Sequence, residues 1–323
     1  MPNELSKSDN PEALRRALAV TPGGSQTASR QHGLVGPFSY PAFAISANGT
    51  HIALDDGGMA IDLAGANASV PLGYNHPTVV MAVQQQINNG GGSLSLPSYL
   101  EAEVSERLVS LLPFPSKVRW VRTGSEAVSA SVAIAQLVTN RKSVAVFEDA
   151  YHGWHPWTTD TVTLMPTDSS EAWSSLNSFA AVVVESPRWH LVNGTDVKRL
   201  TKLRSACDSA GTLLIYDDVV YGFRYHKAGL QGTTGVAPDL ACFSKALGNG
   251  IPVGCVAGEP DLMEEARYRV SSTFGGEMLG LAAANAVLTL HQNKDVCGDL
   301  LRIGIQLRTE LDKVLKNTEI SVS

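Results

Sequence analysis

Residues 212–217 read TLLIYD, and residues 240–245 read LACFSK. Each is a short apolar run that ends on one ionisable residue, Asp217 in the first and Lys245 in the second. Continuous runs of this kind suit strands buried on both faces, because a half-exposed strand alternates polar and apolar positions. Similar runs flank the pair: KVRWV at 117–121, SVAVF at 143–147, AAVVVE at 180–185 and PVGCVAG at 252–258. Helical patterns lie between them, as in SEAVSASVAIAQLV at 125–138 and VKRLTKLRSACDSAG at 197–211, where Gly211 is a stop signal. The alternation indicates an α/β fold with a mainly parallel sheet. In such sheets ligands bind outside the carboxyl ends of the strands. Residues 123–125, Tyr151, Glu185, Asp217 and Lys245 all fall there.

The totals bound the rest. The chain has 323 residues and 44% hydrophobic content, enough for one large domain or two ordinary ones with a sizeable core. Lys and Arg total 25 against 31 Asp and Glu, a net charge of −6, and no basic cluster stands out, which argues against a nucleic-acid partner. The four cysteines, at 207, 242, 255 and 297, have no metal-knuckle spacing, so reduced thiols are expected. The opening MPNELSKSDNPEALRRALAV carries no signal-peptide apolar region. No run approaches the roughly 18 apolar residues of a membrane span. The expected location is the cytoplasm, with no membrane partner.

Along the chain, PEALRRALAV at 11–20 suggests a short helix before a Pro-Gly-Gly break. Residues 41–65 carry hairpin signals, with Asn-Gly and Asp-Asp-Gly-Gly between short apolar runs. YLEAEVSERLVSLL at 99–112 is an amphipathic helix that ends at Pro113. The expected organisation is an N-terminal segment at 1–75 with a short helix and small antiparallel sheet, a large α/β domain at 76–292, and a C-terminal helix at 293–323.

Lys245 and Asp217 carry the chemistry. A lysine amine forms Schiff bases with carbonyls when its surroundings lower its pKa. A carboxylate closing so apolar a strand is costly to bury unpaired, and it can instead hold a protonated pyridine nitrogen. Pyridoxal phosphate chemistry needs that pair. A phosphate cup is offered by RTGSEA at 122–127, where Gly124 and Ser125 open a helix and its free N–H groups. Thr123 and Glu126 also fit a capping box, so a plain helix cap competes for the same groups. Tyr151 offers a ring to stack on the cofactor. Val219, two residues past Asp217, would share its side of an extended backbone. No G-x-G-x-x-G follows a strand, which sets aside a nicotinamide enzyme. His152 and His155 lie three apart with no third ligand in view, so no metal site is expected.

Taken together, the stretches PGGSQTASR, LGYNHP, RTGSEA, YHGWHPW, LLIYDDVVYGFR, GVAPDLACFSKALGNGIPVG and STFGGE resemble the class III aminotransferases of fold type I, in order and over nearly the whole chain. The likeness is greatest to the glutamate-1-semialdehyde aminomutase branch. It implies a seven-stranded, mainly parallel sheet flanked by helices, with pyridoxal 5'-phosphate as cofactor. By the same resemblance, Lys245 links to the cofactor and shuttles the substrate proton, and Asp217 pairs with the ring nitrogen. Tyr151 and Val219 sandwich the ring, and Gly124 and Ser125 take the phosphate. Thr273 reaches the phosphate of a neighbouring subunit, making a homodimer the working unit. Arg30 receives a substrate carboxylate, His152 and Trp154 wall the pocket, and His152 counts among the cofactor-binding residues. Glu185 is a further cofactor-side candidate.

Two departures from the family pattern stand out. Asp218 replaces a glutamate, which weakens an expected contact near the cofactor. After DLLRIGIQLRTELDKVLKN the sequence gives only TEISVS, so the small C-terminal subdomain of the family is expected to be reduced or missing, at a cost to closure over substrate. The expected activity is ping-pong transfer of an amino group from an amine or amino acid to a carbonyl acceptor. The alternatives are intramolecular transfer of the aminomutase type, a decarboxylase, and a non-catalytic cofactor-binding homologue.

Overall fold

The computed structural model describes residues 11–32, 43–148, 150–165, 173, 176–185 and 194–316. They fall into two compact units, one from the N-terminal stretch to Asn67 with Leu72–His76, the other from Ala68–Pro71 and everything from Pro77 onward.

In the N-terminal unit, α1 (Pro11–Val20) precedes a three-stranded antiparallel sheet of β1 (Ala44–Asn48), β2 (His51–Leu54) and β3 (Met59–Ile61), in the order β1-β2-β3. The hairpin signals account for both turns. Gly49 takes φ 56 between β1 and β2. Gly57 takes φ 84 between β2 and β3, where Asp56 Oδ1 accepts the Gly58 N–H at 2.7 Å. A one-turn segment, α2 (Gly65–Ala68), follows.

The larger unit begins with α3 (Pro77–Gly90) and α4 (Tyr99–Val109). Then come β4 (Lys117–Val121), α5 (Gly124–Thr139), β5 (Ser143–Phe147), α6 (Trp157–Asp160), β6 (Val162–Met165), β7 (Phe179–Glu185), α7 (Gly194–Ala210), β8 (Leu213–Asp217), α8 (Gly229–Thr234) and β9 (Leu240–Phe243). β10 (Gly254–Gly258), α9 (Pro260–Glu265), α10 (Met278–Asn293) and α11 (Val296–Leu315) complete it. The sheet has seven strands in the order β4-β10-β9-β8-β7-β5-β6. β10 runs antiparallel to both neighbours, and the other pairs are parallel. This is the α/β architecture, with a mainly parallel sheet, that the sequence indicates. β6 was not among the strands read from sequence: VTLM lies at the sheet edge and leaves Leu164 exposed, so it lacks a doubly buried run.

Two cores sandwich the sheet. Leu214, Tyr216, Val182 and Phe243 pack on one face with Leu203 of α7 and Leu281 and Leu288 of α10. Ile215, Val183, Cys242 and Val256 pack on the other with Ala127, Val128 and Ile134 of α5. The two-residue period of β8 therefore decides where its last residue goes. Leu213 and Ile215 belong to the α5 face, so Asp217 continues their row.

One buried group makes stability depend on pH. His291 of α10 is 2% exposed, edge-on to Phe223 with ring centres 5.3 Å apart. Burial, helped by the charge of Lys227 and opposed by Asp295, lowers its pKa from 6.5 to about 4. Below 6.5 the unfolded chain takes up a proton that the folded chain refuses. Stability is therefore lost as pH falls from 6.5 toward 4, by up to about 3 kcal/mol, and the loss then levels off. Urea unfolding at pH 7 and pH 4.5 should show a smaller acid loss in His291→Leu than in the parent chain. Equal losses in the two would contradict this assignment.

Candidate active site

Lys245 follows β9 by two residues, and the chain there is not relaxed. Ser244 has φ −165 and ψ −149, and its hydroxyl donates to the Val253 carbonyl at 2.8 Å. Lys245 takes φ 45, in the left-handed region that side chains other than glycine seldom adopt. It opens a 3-10 turn, Lys245–Gly248, whose Ala246 and Leu247 are buried. Asn249 at φ 43 and Gly250 at φ 99 then turn the chain back toward β10. A rigid strand, a strained residue and a packed turn fix the lysine backbone. Nothing in the sequence pattern points to the left-handed conformation of Lys245.

Asp217 ends β8, beside Glu185 in the register with β7 and Cys242 in the register with β9. It is 4% exposed. His152, itself buried, places Nδ1 2.8 Å from Asp217 Oδ2, and the Val219 N–H donates to Asp217 Oδ1 at 3.2 Å. With Nδ1–H assigned as the donor, His152 Nε2 is left as a buried acceptor without a hydrogen-bond partner. Two hydrogen bonds leave room on the carboxylate for one more cationic donor. The sequence placed His152 among the cofactor-binding residues as a pocket wall, without the partner it has here. Its partner lies 65 residues away, and only the adjacency of the β5 loop to β8 brings the two together.

The loop after β5 is pegged at several points. The Tyr151 N–H donates to Glu185 Oε2 at 2.7 Å, which makes Glu185 an anchor of this loop. Gly153, at φ 92, passes so close to α5 that a Cβ there would lie 2.5 Å from Ser125 Oγ. His155 Nδ1 lies 2.6 Å from Ser129 Oγ, which also accepts from Trp157 Nε1 at 3.1 Å. The Tyr151 ring is 57% exposed and Trp154 is 76% exposed, with Trp154 edge-on to His155.

At the start of α5 the capping-box reading of RTGSEA holds. Thr123 accepts the Glu126 N–H at 3.2 Å, and Glu126 Oε2 accepts the Thr123 N–H at 3.0 Å, a complete capping box. The box uses the N–H of the third helical residue and leaves those of Gly124 and Ser125, which have no acceptor within the helix. The cap therefore leaves two N–H groups of the first turn open to an acceptor from outside the helix. Gly124 is required by packing, since a Cβ would sit 2.6 Å from Val219 Cγ1. Val219 arrives there differently from the sequence expectation. The backbone turns after Asp217 instead of staying extended, and the Asp217 side chain stabilises that turn.

Asp218 points elsewhere. Fully buried, it accepts the Leu230 N–H at 3.0 Å with one oxygen and 3.1 Å with the other, and so holds the start of α8. Its shorter side chain is matched to Gly229, where a Cβ would lie 2.0 Å from Asp218 Oδ2. The contact near the cofactor expected of it is thus corrected to a structural one. Thr273 lies in an exposed loop before Gly276 and Glu277. Glu277 caps α10 through the Leu279 and Gly280 N–H groups at 3.0 and 2.9 Å, and pairs with Arg122 next to the α5 cap. Arg30, exposed, belongs to the N-terminal unit.

A buried carboxylate with a histidine behind it ends β8 in the row of the α5 face, α5 opens with unused N–H groups, and a lysine follows the next strand, β9. The sequence pattern described as aminotransferase class-III matches residues 37–163 and 171–322. The chain belongs to the class III aminotransferase family. It is 32% identical over 317 residues to the glutamate-1-semialdehyde 2,1-aminomutase of Bordetella avium (strain 197N), covering 88% of this chain and 73% of that one. It is also 32% identical to the enzyme of that name from Desulforapulum autotrophicum, covering 86% and 72%. Among solved structures, the FumI protein of Sphingopyxis sp. MTA144 in its PLP internal aldimine form superposes with a TM-score of 0.86 at 25% identity, over 94% of this chain and 78% of that one. An omega-transaminase from Sphaerobacter thermophilus shares the fold, with a TM-score of 0.86 at 24% identity over 97% and 79%.

This class III enzyme is a pyridoxal phosphate-dependent transaminase. Its residues fit that cofactor on their own chemistry. Asp217 is buried with an open acceptor position, the Gly124 contact excludes a side chain from the cup, and the first-turn N–H groups suit a phosphate. Among the described residues no helix is long and apolar enough to cross a membrane.

Proposed function

We propose that the chain moves an amino group from an amine or amino acid to a carbonyl acceptor in two half-reactions, with the named side chains in the following roles. When bound, the cofactor supplies an aldehyde to carry the amino group and a ring that accepts electrons from the substrate Cα. Lys245 holds the cofactor, then takes the proton from Cα and returns it on the far side of the transfer. Asp217 pairs with the ring nitrogen, and His152 keeps that carboxylate oriented. Gly124 and Ser125 bind the phosphate, and Tyr151 and Val219 bracket the ring. Trp154 walls the substrate side, Arg30 receives a substrate carboxylate, and Thr273 reaches the phosphate of a second copy in a homodimer. The four buried free cysteines suit a reducing compartment, so we place the enzyme in the cytoplasm.

One observation carries the reading: a buried Asp217 paired with His152, one strand away from the Lys245 turn. A second reading, intramolecular transfer, is favoured by the aminomutase names of the relatives that are 29–32% identical. Nitrogen-15 separates the two. With labelled L-glutamate, L-alanine or a diamine as donor and pyruvate or 2-oxoglutarate as acceptor, label should appear in the acceptor-derived amine. Rearrangement of glutamate 1-semialdehyde without any second substrate, and no label exchange, would favour the second reading. Neither reaction would overturn both.

A further inference from the structure

The chain holds a strained run, Gly65 to Ala68, that the roles above do not use. Gly65, Ala66, Asn67 and Ala68 follow one another through the left-handed region, at φ 54, 50, 57 and 67. Glycine enters that region freely and asparagine tolerates it, but alanine does not. Such a run persists only where its surroundings over-determine it. Asp62 supplies the constraint. Its Oδ1 accepts the Ala64 and Gly65 N–H groups at 2.8 and 3.1 Å, and its Oδ2 accepts the Ala66 N–H at 2.9 Å and the Tyr74 hydroxyl at 2.6 Å.

The turn so held grips the segment that carries Arg30. Asn67 Nδ2 donates to Ser29 Oγ at 3.2 Å, and Asn67 Oδ1 lies 3.4 Å from the same hydroxyl. Ser29 immediately precedes Arg30 in the 3-10 turn Ala28–Arg30, whose Arg30 N–H donates to the Thr27 carbonyl at 3.1 Å. Burial and the hydrogen bond and charge of Asp62 raise the Tyr74 pKa to about 12, so the phenol keeps its proton and its bond to Asp62 at neutral pH. Asn67 thus bonds the residue before Arg30.

We propose that Asn67, in the turn held by Asp62, is a positioning residue for Arg30 and so sets the preference for amine donors that bear a carboxylate. The proposal rests on the role given to Arg30 above. Asn67 does not touch substrate; it acts through the guanidinium, whose fit to a carboxylate depends on its orientation.

Asn67→Gly is the informative variant, because glycine keeps the left-handed backbone without strain and removes only the bonds to Ser29. In the holoenzyme, KM for L-alanine should rise about three- to tenfold, as expected for losing a hydrogen bond. KM for 1-phenylethylamine, which has no carboxylate, should stay the same, and kcat for both should change less than twofold. Competitive inhibition by succinate should weaken in parallel. Arg30→Ala tests the underlying role and should separate the two donors more strongly. If Arg30→Ala separates the donors and Asn67→Gly does not, the positioning inference is wrong and the role of Arg30 stands. If Arg30→Ala fails to separate them, or succinate does not bind the parent enzyme, both fall together.

Discussion

Lys245→Ala is expected to lower amino transfer by about 10⁴-fold or more, the upper range for loss of a positioned acid–base group, because covalent attachment goes with it. The fold should survive. Lys245 is only part-buried, and the packing of its turn belongs to Ala246 and Leu247. Alanine is a non-glycine residue as lysine is, so the φ of 45 is no more strained after the change. Ser244 keeps its bond to Val253, and β9 keeps its place between β8 and β10. Thermal unfolding without cofactor should therefore match the parent chain within a few degrees, while the visible band formed with pyridoxal phosphate disappears. A variant that retains a tenth of the parent rate, assayed free of contaminating transaminase, would contradict the role of Lys245.

Asp217→Asn is expected to cost about 10² to 10³ in kcat, comparable to removing one preorganised electrostatic group from an active site. The substitution keeps the shape of the side chain and removes its charge. The neutral amide can no longer stabilise a protonated ring nitrogen, and its Nδ2 meets the hydrogen that His152 Nδ1 offered to Oδ2. The lysine-dependent visible band should remain, since Lys245 is untouched, and turnover alone should fall. That separation distinguishes the two residues: one variant loses the link to the cofactor, the other loses what the ring does once linked. If Asp217→Asn also abolished the band, or left kcat unchanged, the pairing assigned to Asp217 would be wrong.

The parts legible in the sequence were those that depend on local pattern. SVAVF and TLLIYD read as doubly buried strands because both faces of the sheet are covered, by α5 on one side and by α7 and α10 on the other. Asp217 and Lys245 stood out because an ionisable residue at the end of such a run needs a partner or a function. What stayed hidden depends on contacts distant in sequence or on turn geometry. The approach of His152 to Asp217 is set by strand order, and Asp218 finds its partner at Leu230 only through the folding of α8. The left-handed backbone of Lys245 and of Ala66 is written in no residue preference, because neither residue favours it; at Ala66 the Asp62 carboxylate holds it. VTLM at 162–165 was missed for the opposite reason: an edge strand needs no strong apolar pattern.

The most direct test of the central claim is to reduce the purified chain with borohydride in the presence of pyridoxal phosphate and map the labelled peptide by mass spectrometry. The account predicts one pyridoxyl group per chain, on Lys245, and none on the Lys245→Ala variant. Label spread over surface lysines such as Lys227 or Lys294, with the Lys245 peptide unmodified, would contradict it.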